Sequence, residues 1–307
     1  MSTSTYIYIF GESEITIWGL TGRERLQRML QAHEHTLLVD DAEKIPASAT
    51  ALFLNSNFLF DARVLTALLG LDKKIALYND EGCPAAIRTD GSQAPQLLRN
   101  LNNNKSQNYK FVLLTIPRIG LKDLKIDFQQ NLKKKDPPYI LPVSEANRPL
   151  LEQELFSGSY KGVTDLVTKW VWPVPAFWVT HYCVRQGWQP NHVTYLSVVF
   201  AVLAGLAFWA GFFGIGLLMG WLMTFLDTVD GKLARVTVTS SRFGDVMDHG
   251  LDIIHPPLWY LAWGLGLEGT TTPLTGLSVL MFLMFLGYIG GRLCEGAFQY
   301  WLAHFDM

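Results

Sequence analysis

Regularly spaced acids mark the stretch Asp227-Thr-Val-Asp230-Gly231-Lys-Leu-Ala234-Arg235 and its continuation, Gly244-Asp-Val-Met-Asp248-His-Gly-Leu-Asp252. Apolar runs flank this stretch on both sides, which places its carboxylates at or inside the edge of a membrane. A charged side chain at the centre of a bilayer costs about 2.5–3.5 kcal/mol on insertion scales, so acids in such a position are candidates for function.

Helical spacing groups these acids into two pairs. Asp227 and Asp230 are three residues apart, and Asp248 and Asp252 are four apart, so each pair shares one face of a helix. Four acids in a low-dielectric site would repel one another and take up protons unless a cation lay between them. Oxygen ligands without a His or Cys cluster suit a hard ion such as Mg²⁺, which also takes substrate phosphates as ligands. The two pairs therefore predict a divalent-metal site.

The complete spacing is D-x2-D-G-x2-A-R-x8-G-x3-D-x3-D, and it resembles the signature of the CDP-alcohol phosphotransferase family at all eight fixed positions. The resemblance implies transfer of a substituted phosphate, expected to be a phosphatidyl group, from a CDP-alcohol such as CDP-diacylglycerol to an acceptor alcohol. CMP is released, and the reaction belongs to phospholipid biosynthesis. The expected cofactor is Mg²⁺ or Mn²⁺.

The resemblance also implies roles for individual residues. The implied metal ligands are Asp227, Asp230, Asp248 and Asp252, and Asp252 is in addition the candidate general base for the acceptor hydroxyl. Pro190-Asn-His-Val-Thr194 resembles a Pro-Asn-x-x-Thr element of the family. The implied substrate-binding residues are Asn191 and Thr194 for the cytidine, Gly231 and Ala234 for access of the nucleotide, Arg235 for a phosphate, and Gly244 for close approach of two helices.

Two other functions are compatible with the same stretch. Acids inside a membrane also mark ion paths, so a cation or proton transporter is one alternative. A transporter would distribute its acids through the depth of the bilayer, whereas these acids cluster beside Arg235. The other alternative is a truncated, non-catalytic membrane adaptor of the same family.

Composition narrows the class of protein further. The chain has 307 residues and a formal net charge of −2, without the basic footprint of a nucleic-acid binder. Its three cysteines are far apart, which favours neither a disulfide framework nor a zinc site. The start of the chain lacks the pattern of a cleavable signal peptide. We therefore expect the amino-terminal part to be cytoplasmic.

The amino-terminal half alternates short strands with amphipathic helices. Strands are predicted at 5–10, 15–18, 51–54, 74–78 and 110–115, and helices at 23–31 and 62–69. This order predicts an α/β domain with a largely parallel sheet at 1–148. Trp18–Arg25 and Asn55-Ser-Asn57 resemble the glycine-rich loop and the metal-binding acids of a nucleotidyltransferase-like fold. Both are degenerate, since only Gly19 and Gly22 remain in the first and amides replace the acids in the second, so a scaffolding or regulatory domain is expected rather than a working transferase.

The remainder of the chain is predicted to be all-α and membrane-bound. Interfacial juxtamembrane helices are expected at 149–189, where Trp, Tyr and basic residues alternate, with a break near Pro173 and Pro175. A polytopic transferase domain is expected at 190–307, with four transmembrane helices at 192–210, 213–231, 244–266 and 273–292. Basic residues between the second and third helices predict a cytoplasmic active site in an inner membrane. The family usually has six spans, so the domain is expected to be incomplete. A homodimer is also conceivable by resemblance.

Overall fold

The computed structural model describes residues 4–103, 116–124, 126, 137–159, 166–240, 242–270 and 275–302. The chain divides into two compact units, Met1–Gly158 and Ser159–Met307. The predicted strand at 110–115 lies outside the described residues. The division at residue 158 leaves the domain boundaries at 148 and 189 as predictions.

The first unit is an α/β structure. Its strands are β1 (Thr5–Phe10), β2 (Thr16–Ile17), β3 (Leu20–Thr21), β4 (Thr36–Leu38), β5 (Thr50–Asn55), β6 (Phe58–Phe60), β7 (Ile75–Tyr78), β8 (Pro84–Asp90), β9 (Arg118–Ile119) and β10 (Ile140–Pro142). Its helices are α1 (Gly22–Leu30), α2 (Ala62–Leu69), α3 (Ala94–Asn103) and α4 (Arg148–Gly158). Six strands form one sheet in the order β4-β1-β5-β8-β7-β9, and the pairs β2–β3 and β6–β10 are separate antiparallel ribbons.

The main sheet is mixed, which corrects the expectation of a largely parallel sheet. Strand β1 is parallel to β4 and β5, and β7 is parallel to β9. Strand β8, which the sequence patterns did not reveal, is antiparallel to both β5 and β7. The turn between β7 and β8 is closed by the Asn79 side chain, which accepts from the Cys83 N–H at 2.7 Å. So short a connection permits a hairpin but not a parallel crossover, which needs a dozen residues or more.

The sheet has an apolar core on each face. Residues of β5 alternate between the two cores: Leu52 and Leu54 pack with the residues of α1 and α2, and Ala51 and Phe53 pack with those of α3. The alternation follows from the two-residue period of a strand. Because β5 is buried on both faces, the carboxyl end of this strand is firmly placed, which matters for Asn55 below.

The second unit is helical in its described part. Its helices are α5 (Leu166–Trp170), α6 (Pro173–Arg185), α7 (Pro190–Trp209), α8 (Phe213–Val236), α9 (Arg242–Glu268) and α10 (Leu277–Leu302). Three described segments are long and apolar enough to span a membrane, namely Pro190–Trp209, Phe213–Val236 and Leu277–Phe298. Helix α9 is not among them, because its mean hydropathy is lowered by acidic residues and by His255, Pro256 and Pro257. Three of the four predicted spans are thus confirmed as apolar helices.

Helices α7, α8 and α9 pack on glycines. A Cβ at Gly216 of α8 would meet the ring of Phe208 of α7, so the two helices approach closely beside their connecting turn. The indole of Trp259 of α9 lies against Gly205 and Gly220, where a Cβ would come within 3.5 and 3.0 Å of the ring. Small residues allow this close approach in membranes, where the hydrophobic effect gives no preference for helix association.

Candidate active site

The best-defined polar contact of the second unit joins two residues that the sequence predicted to be functional. The Thr194 Oγ1 of α7 donates to the Asp230 Oδ2 of α8 at 2.7 Å, and the two residues are 5% and 6% exposed. The same hydroxyl lies 3.2 Å from the carbonyl oxygen of Pro190, one turn earlier. A hydroxyl has one hydrogen, and the shorter, charge-assisted contact to the carboxylate is the stronger one. Thr194 therefore fixes the Asp230 carboxylate from the neighbouring helix.

The register of α7 against α8 places a further hydroxyl in this region. Phe208 faces Gly216 near the turn, and Thr194 faces Asp230 far from it, as expected for antiparallel helices in constant register. In that register Ser197 lies level with Asp227. Ser197 is 1% exposed, and its Oγ has no hydrogen-bond partner among the described residues. Sequence reasoning missed this residue, although its three-residue spacing from Thr194 places it on the same helix face.

Arg235 and Gly231 are in contact on α8. A Cβ built on Gly231 would lie 3.7 Å from Nη2 of Arg235, so the guanidinium covers the glycine that was expected to admit the nucleotide. Nη1 of Arg235 donates to the carbonyl oxygen of Ser159 at 2.8 Å. The arginine side chain is exposed. Its role toward phosphate stays a prediction, for which the guanidinium has five N–H donors in all, one of them used on the Ser159 carbonyl.

Lys232 is a residue of the motif whose burial the sequence did not indicate. It is 2% exposed, whereas the positive-inside reading placed it at the cytoplasmic surface. A lysine is almost never buried to this extent without a charged or polar partner. Lys232 is therefore a buried residue of α8, the helix that carries Asp227 and Asp230.

Helix α9 carries the second pair of acids. Asp252 is exposed, Gly244 lies in the first turn of the helix, and the side chain of Asp248 falls outside the described part of the structure. Among the described side chains, no three His, Cys, Asp or Glu residues converge as a metal site. The structure thus confirms that each pair of acids lies on one helix, while the convergence of all four carboxylates stays a prediction. The roles of Asn191 and Ala234, both partly buried, are likewise untested.

The two degenerate motifs of the first unit meet at the end of the sheet. A Cβ at Gly22 would collide with the carbonyl oxygen of Ser56, and one at Gly11, which has φ +93°, would lie 2.7 Å from Asn55 Oδ1. The Asn55 amide donates to the Pro84 carbonyl at 3.1 Å, and its Oδ1 accepts from the Asn57 N–H at 3.0 Å. The amide of Asn55 is thus engaged by the backbone on both sides. Hydrogen bonding of the Asn55 amide to the backbone fits a scaffolding role of the first unit. The nucleotidyltransferase-like assignment stays a prediction.

Two ionisable side chains of the first unit, Tyr139 and Arg25, are also structural. Burial raises the pKa of Tyr139 to about 12, and the neighbouring Asp61 adds to the shift. Burial lowers the pKa of Arg25 to about 10, and its Nη2 donates to the carbonyl oxygen of Ile17 at 3.0 Å. At neutral pH the phenol is therefore uncharged beside a charged guanidinium, an arrangement that cross-links the loop before α1.

Comparison with known proteins agrees with the acidic motif. Residues 188–295 match the family model described as CDP-alcohol phosphatidyltransferase. The matched range contains α7, α8, α9 and most of α10, with every predicted site residue. This match and the three described helices that are long and apolar enough to cross a membrane together support a membrane protein.

A curated relative extends the similarity beyond the motif. Cholinephosphotransferase 1 of Gallus gallus is 29% identical to this chain in an alignment of 160 residues, which covers 49% of the chain and 46% of the relative. The chain therefore spans about half the length of the relative that it matches. Neither the family nor the relative supports the homodimer that the resemblance left open.

Proposed function

We propose that the chain is an integral-membrane transferase that moves a substituted phosphate from a CDP-alcohol to an acceptor alcohol and releases CMP. The observation that carries this proposal is the buried contact between Thr194 and Asp230. It joins the Pro-Asn-x-x-Thr element at the start of α7 to the acidic motif on α8. A single hydrogen bond therefore connects the sequence element assigned to the nucleotide with the element assigned to the metal.

The donor set fits a hard divalent cation. Asp227, Asp230, Asp248 and Asp252 offer only carboxylate oxygens, and Thr194 orients one of these carboxylates. Mg²⁺ or Mn²⁺ bound there would offset the negative charge of the donor pyrophosphate and of the departing CMP. Ser197 Oγ, buried at the level of Asp227, is available to hold a water or a ligand oxygen beside the same carboxylates.

The chain's own residues supply the remaining steps. Asn191 and Thr194 would contact the cytidine at the start of α7, and Arg235 would hold a phosphate oxygen as a forked cation. Asp252 would take the proton of the acceptor hydroxyl as that oxygen attacks the donor phosphorus. Asp252 suits this role because its carboxylate is exposed and so accessible to a second substrate. Gly244 would allow α9 to approach α8 closely enough for the two pairs of acids to meet.

Helix α9 is the fourth span of the proposed topology. Its 27 residues would reach about 40 Å at 1.5 Å per residue, enough to cross the hydrocarbon core. Asp248 and Asp252 lie in its first half, next to the turn that separates Arg235 of α8 from Arg242 of α9. By the positive-inside rule this end of the bundle is cytoplasmic, and the first unit would lie on the same side.

Two donors are to be compared. The acidic motif suits any CDP-alcohol, and a phosphatidyl group from CDP-diacylglycerol is the donor expected from the family resemblance. The relative is named a cholinephosphotransferase, which favours CDP-choline as a second candidate. CMP release from radiolabelled CDP-diacylglycerol and CDP-choline, each against a panel of acceptor alcohols and with or without Mg²⁺, distinguishes them.

CMP release, together with a measurement of ion flux, separates the proposed function from its alternatives. The transferase requires CMP release that depends on both an acceptor and a divalent ion. A non-catalytic adaptor would release no CMP with any donor. A transporter would show ion flux in proteoliposomes without CMP release.

A further inference from the structure

Helix α9 carries two consecutive prolines, Pro256 and Pro257, in its interior. In an α-helix the N–H of each residue donates to the carbonyl four positions earlier, and proline has no N–H. The helical bonds that these prolines cannot make are those to the carbonyls of Asp252 and Ile253. The break in helical bonding therefore falls on the candidate general base and on the residue after it.

Tyr288 of α10 supplies the donor that Pro257 lacks. Its hydroxyl donates to the carbonyl oxygen of Ile253 at 2.6 Å. A backbone carbonyl freed by proline is costly in hydrocarbon unless a neighbouring helix provides a donor. Tyr288 provides that donor, and the bond ties α10 to α9 at the residue next to Asp252.

The ring of Tyr288 is itself held in place. It lies edge-on to Tyr260 of α9, with centroids 6.2 Å apart, and the guanidinium of Arg292 lies 5.8 Å from its centroid. Arg292 in turn pairs with Glu295 at 2.9 Å. These contacts restrict the rotamers of Tyr288, so its hydroxyl is presented to Ile253 in a fixed direction.

Helix α9 also contacts α7 just after the prolines. Nε1 of Trp259 donates to the carbonyl oxygen of Ala201 on α7 at 2.9 Å, and the ring of His255 packs on Trp259 with centroids 4.5 Å apart. The half of α9 after the prolines is thus fixed to α7. The half that carries Asp252 has lost two helical bonds at the junction and is tied to α10 by Tyr288 instead.

We propose that Tyr288 is a positioning residue for Asp252: its hydrogen bond to the Ile253 carbonyl holds the backbone of α9 just before the prolines and so sets the place of the Asp252 carboxylate. This inference rests on the proposed function, since Asp252 has a catalytic role only if the chain is a transferase. Tyr288 itself touches no reacting atom.

The test is a set of substitutions in the full chain, assayed for CMP release in lipid nanodiscs. Tyr288→Phe removes only the hydroxyl, and we expect kcat to fall about five- to tenfold, the range of one hydrogen bond, with KM for the donor changed less than twofold. Tyr260→Phe removes a hydroxyl from the partner ring and should leave kcat unchanged.

The prolines provide a rescue and a matched control. Pro257→Ala restores an N–H for the Ile253 carbonyl, so adding Tyr288→Phe to it should change kcat less than twofold. Pro256→Ala restores an N–H for Asp252 and none for Ile253, so in that background Tyr288→Phe should keep its full effect. If Tyr288 acted only through general packing, the effect of Tyr288→Phe would be the same in the Pro257→Ala and Pro256→Ala backgrounds.

Thermal unfolding of the same variants gives an independent measurement. We expect Tyr288→Phe to lower Tm in the wild-type and Pro256→Ala backgrounds and to leave it unchanged in the Pro257→Ala background. Equal kcat for Tyr288→Phe and wild type, or an equal loss in both proline backgrounds, would overturn the positioning role. If the wild-type chain releases no CMP, the proposed function and the role of Asp252 are overturned. The Tm values of Tyr288→Phe in the three backgrounds then still test the hydrogen bond between Tyr288 and Ile253.

Discussion

Thr194 on α7 and Asp230 on α8 form a buried hydrogen bond of 2.7 Å across 36 positions of sequence. The acceptor is a carboxylate oxygen and both residues are nearly inaccessible, so the bond is of the stronger, charge-assisted kind. It fixes one acid of the motif in a direction that the helix alone would not impose. The first prediction concerns this bond.

Thr194→Val keeps the shape of the side chain and removes its hydroxyl. We expect the kcat/KM of CMP release to fall about tenfold or more, because a hydrogen bond to a charged group contributes about 1.5–3 kcal/mol. Thr194→Ser keeps the hydroxyl and should retain most of the activity. Equal activity of the Val and Ser variants would show that the bond does not orient Asp230 for the reaction.

Asp252→Asn should abolish turnover while sparing Mg²⁺-dependent binding of the donor. Loss of a positioned general base typically costs about 10²–10⁴-fold in rate. Glu268→Gln, at the other end of α9, is the matched control and should turn over normally. Single-turnover CMP release and calorimetric titration with CDP separate the two effects, and normal turnover of Asp252→Asn would remove this residue from the mechanism.

Asp227→Ala should weaken binding of CDP in the presence of Mg²⁺ and have little effect without it. The physical reason is that the carboxylate binds the nucleotide only through a cation, since two negative groups repel each other. Calorimetric titrations of wild type and variant at several Mg²⁺ concentrations measure the difference. An affinity of the wild-type chain that is independent of Mg²⁺ would contradict the metal role.

Trp259→Phe should lower the thermal stability of the helical unit. It removes the indole N–H that donates to Ala201 and part of the ring surface that covers Gly220. Trp263→Phe, one turn later on the same helix, removes a comparable area from a ring that stacks on Phe208. We expect the Trp259 variant to lose about 1 kcal/mol more than the Trp263 variant, the net value of one hydrogen bond. Equal Tm values would show that the N–H contributes nothing.

Gly22→Ala should destabilise the first unit, because its Cβ would collide with the carbonyl oxygen of Ser56. Overpacking of this kind costs about 1–3 kcal/mol. Gly158→Ala meets nothing within 4 Å and should stabilise α4 by about 0.5–1 kcal/mol. Limited proteolysis of the intact chain, read at several temperatures, compares the two. Equal resistance of both variants would mean that α1 can move away from Ser56 at no cost.

Local patterns accounted for much of the fold. The helix predicted at 62–69 is α2 at the same bounds, and the spans predicted to begin at 192 and 213 are α7 and α8, which begin at Pro190 and Phe213. These elements carry strong helical periodicity or long apolar runs, which are properties of consecutive residues. The direction and position of β8 were not predictable in this way, because its short apolar run starts with proline and its pairing depends on β5 and β7.

The spacing of residues along the chain is enough to identify the acidic motif, the helix face shared by each pair of acids, and the apolar helices around them, because an α-helix has 3.6 residues per turn. Tertiary packing was needed to show that Thr194 bonds to Asp230, that Lys232 and Ser197 are buried, and that Tyr288 donates to the carbonyl that Pro257 leaves open. These contacts join residues on different helices. Their formation depends on helix register and side-chain packing, which no local pattern encodes.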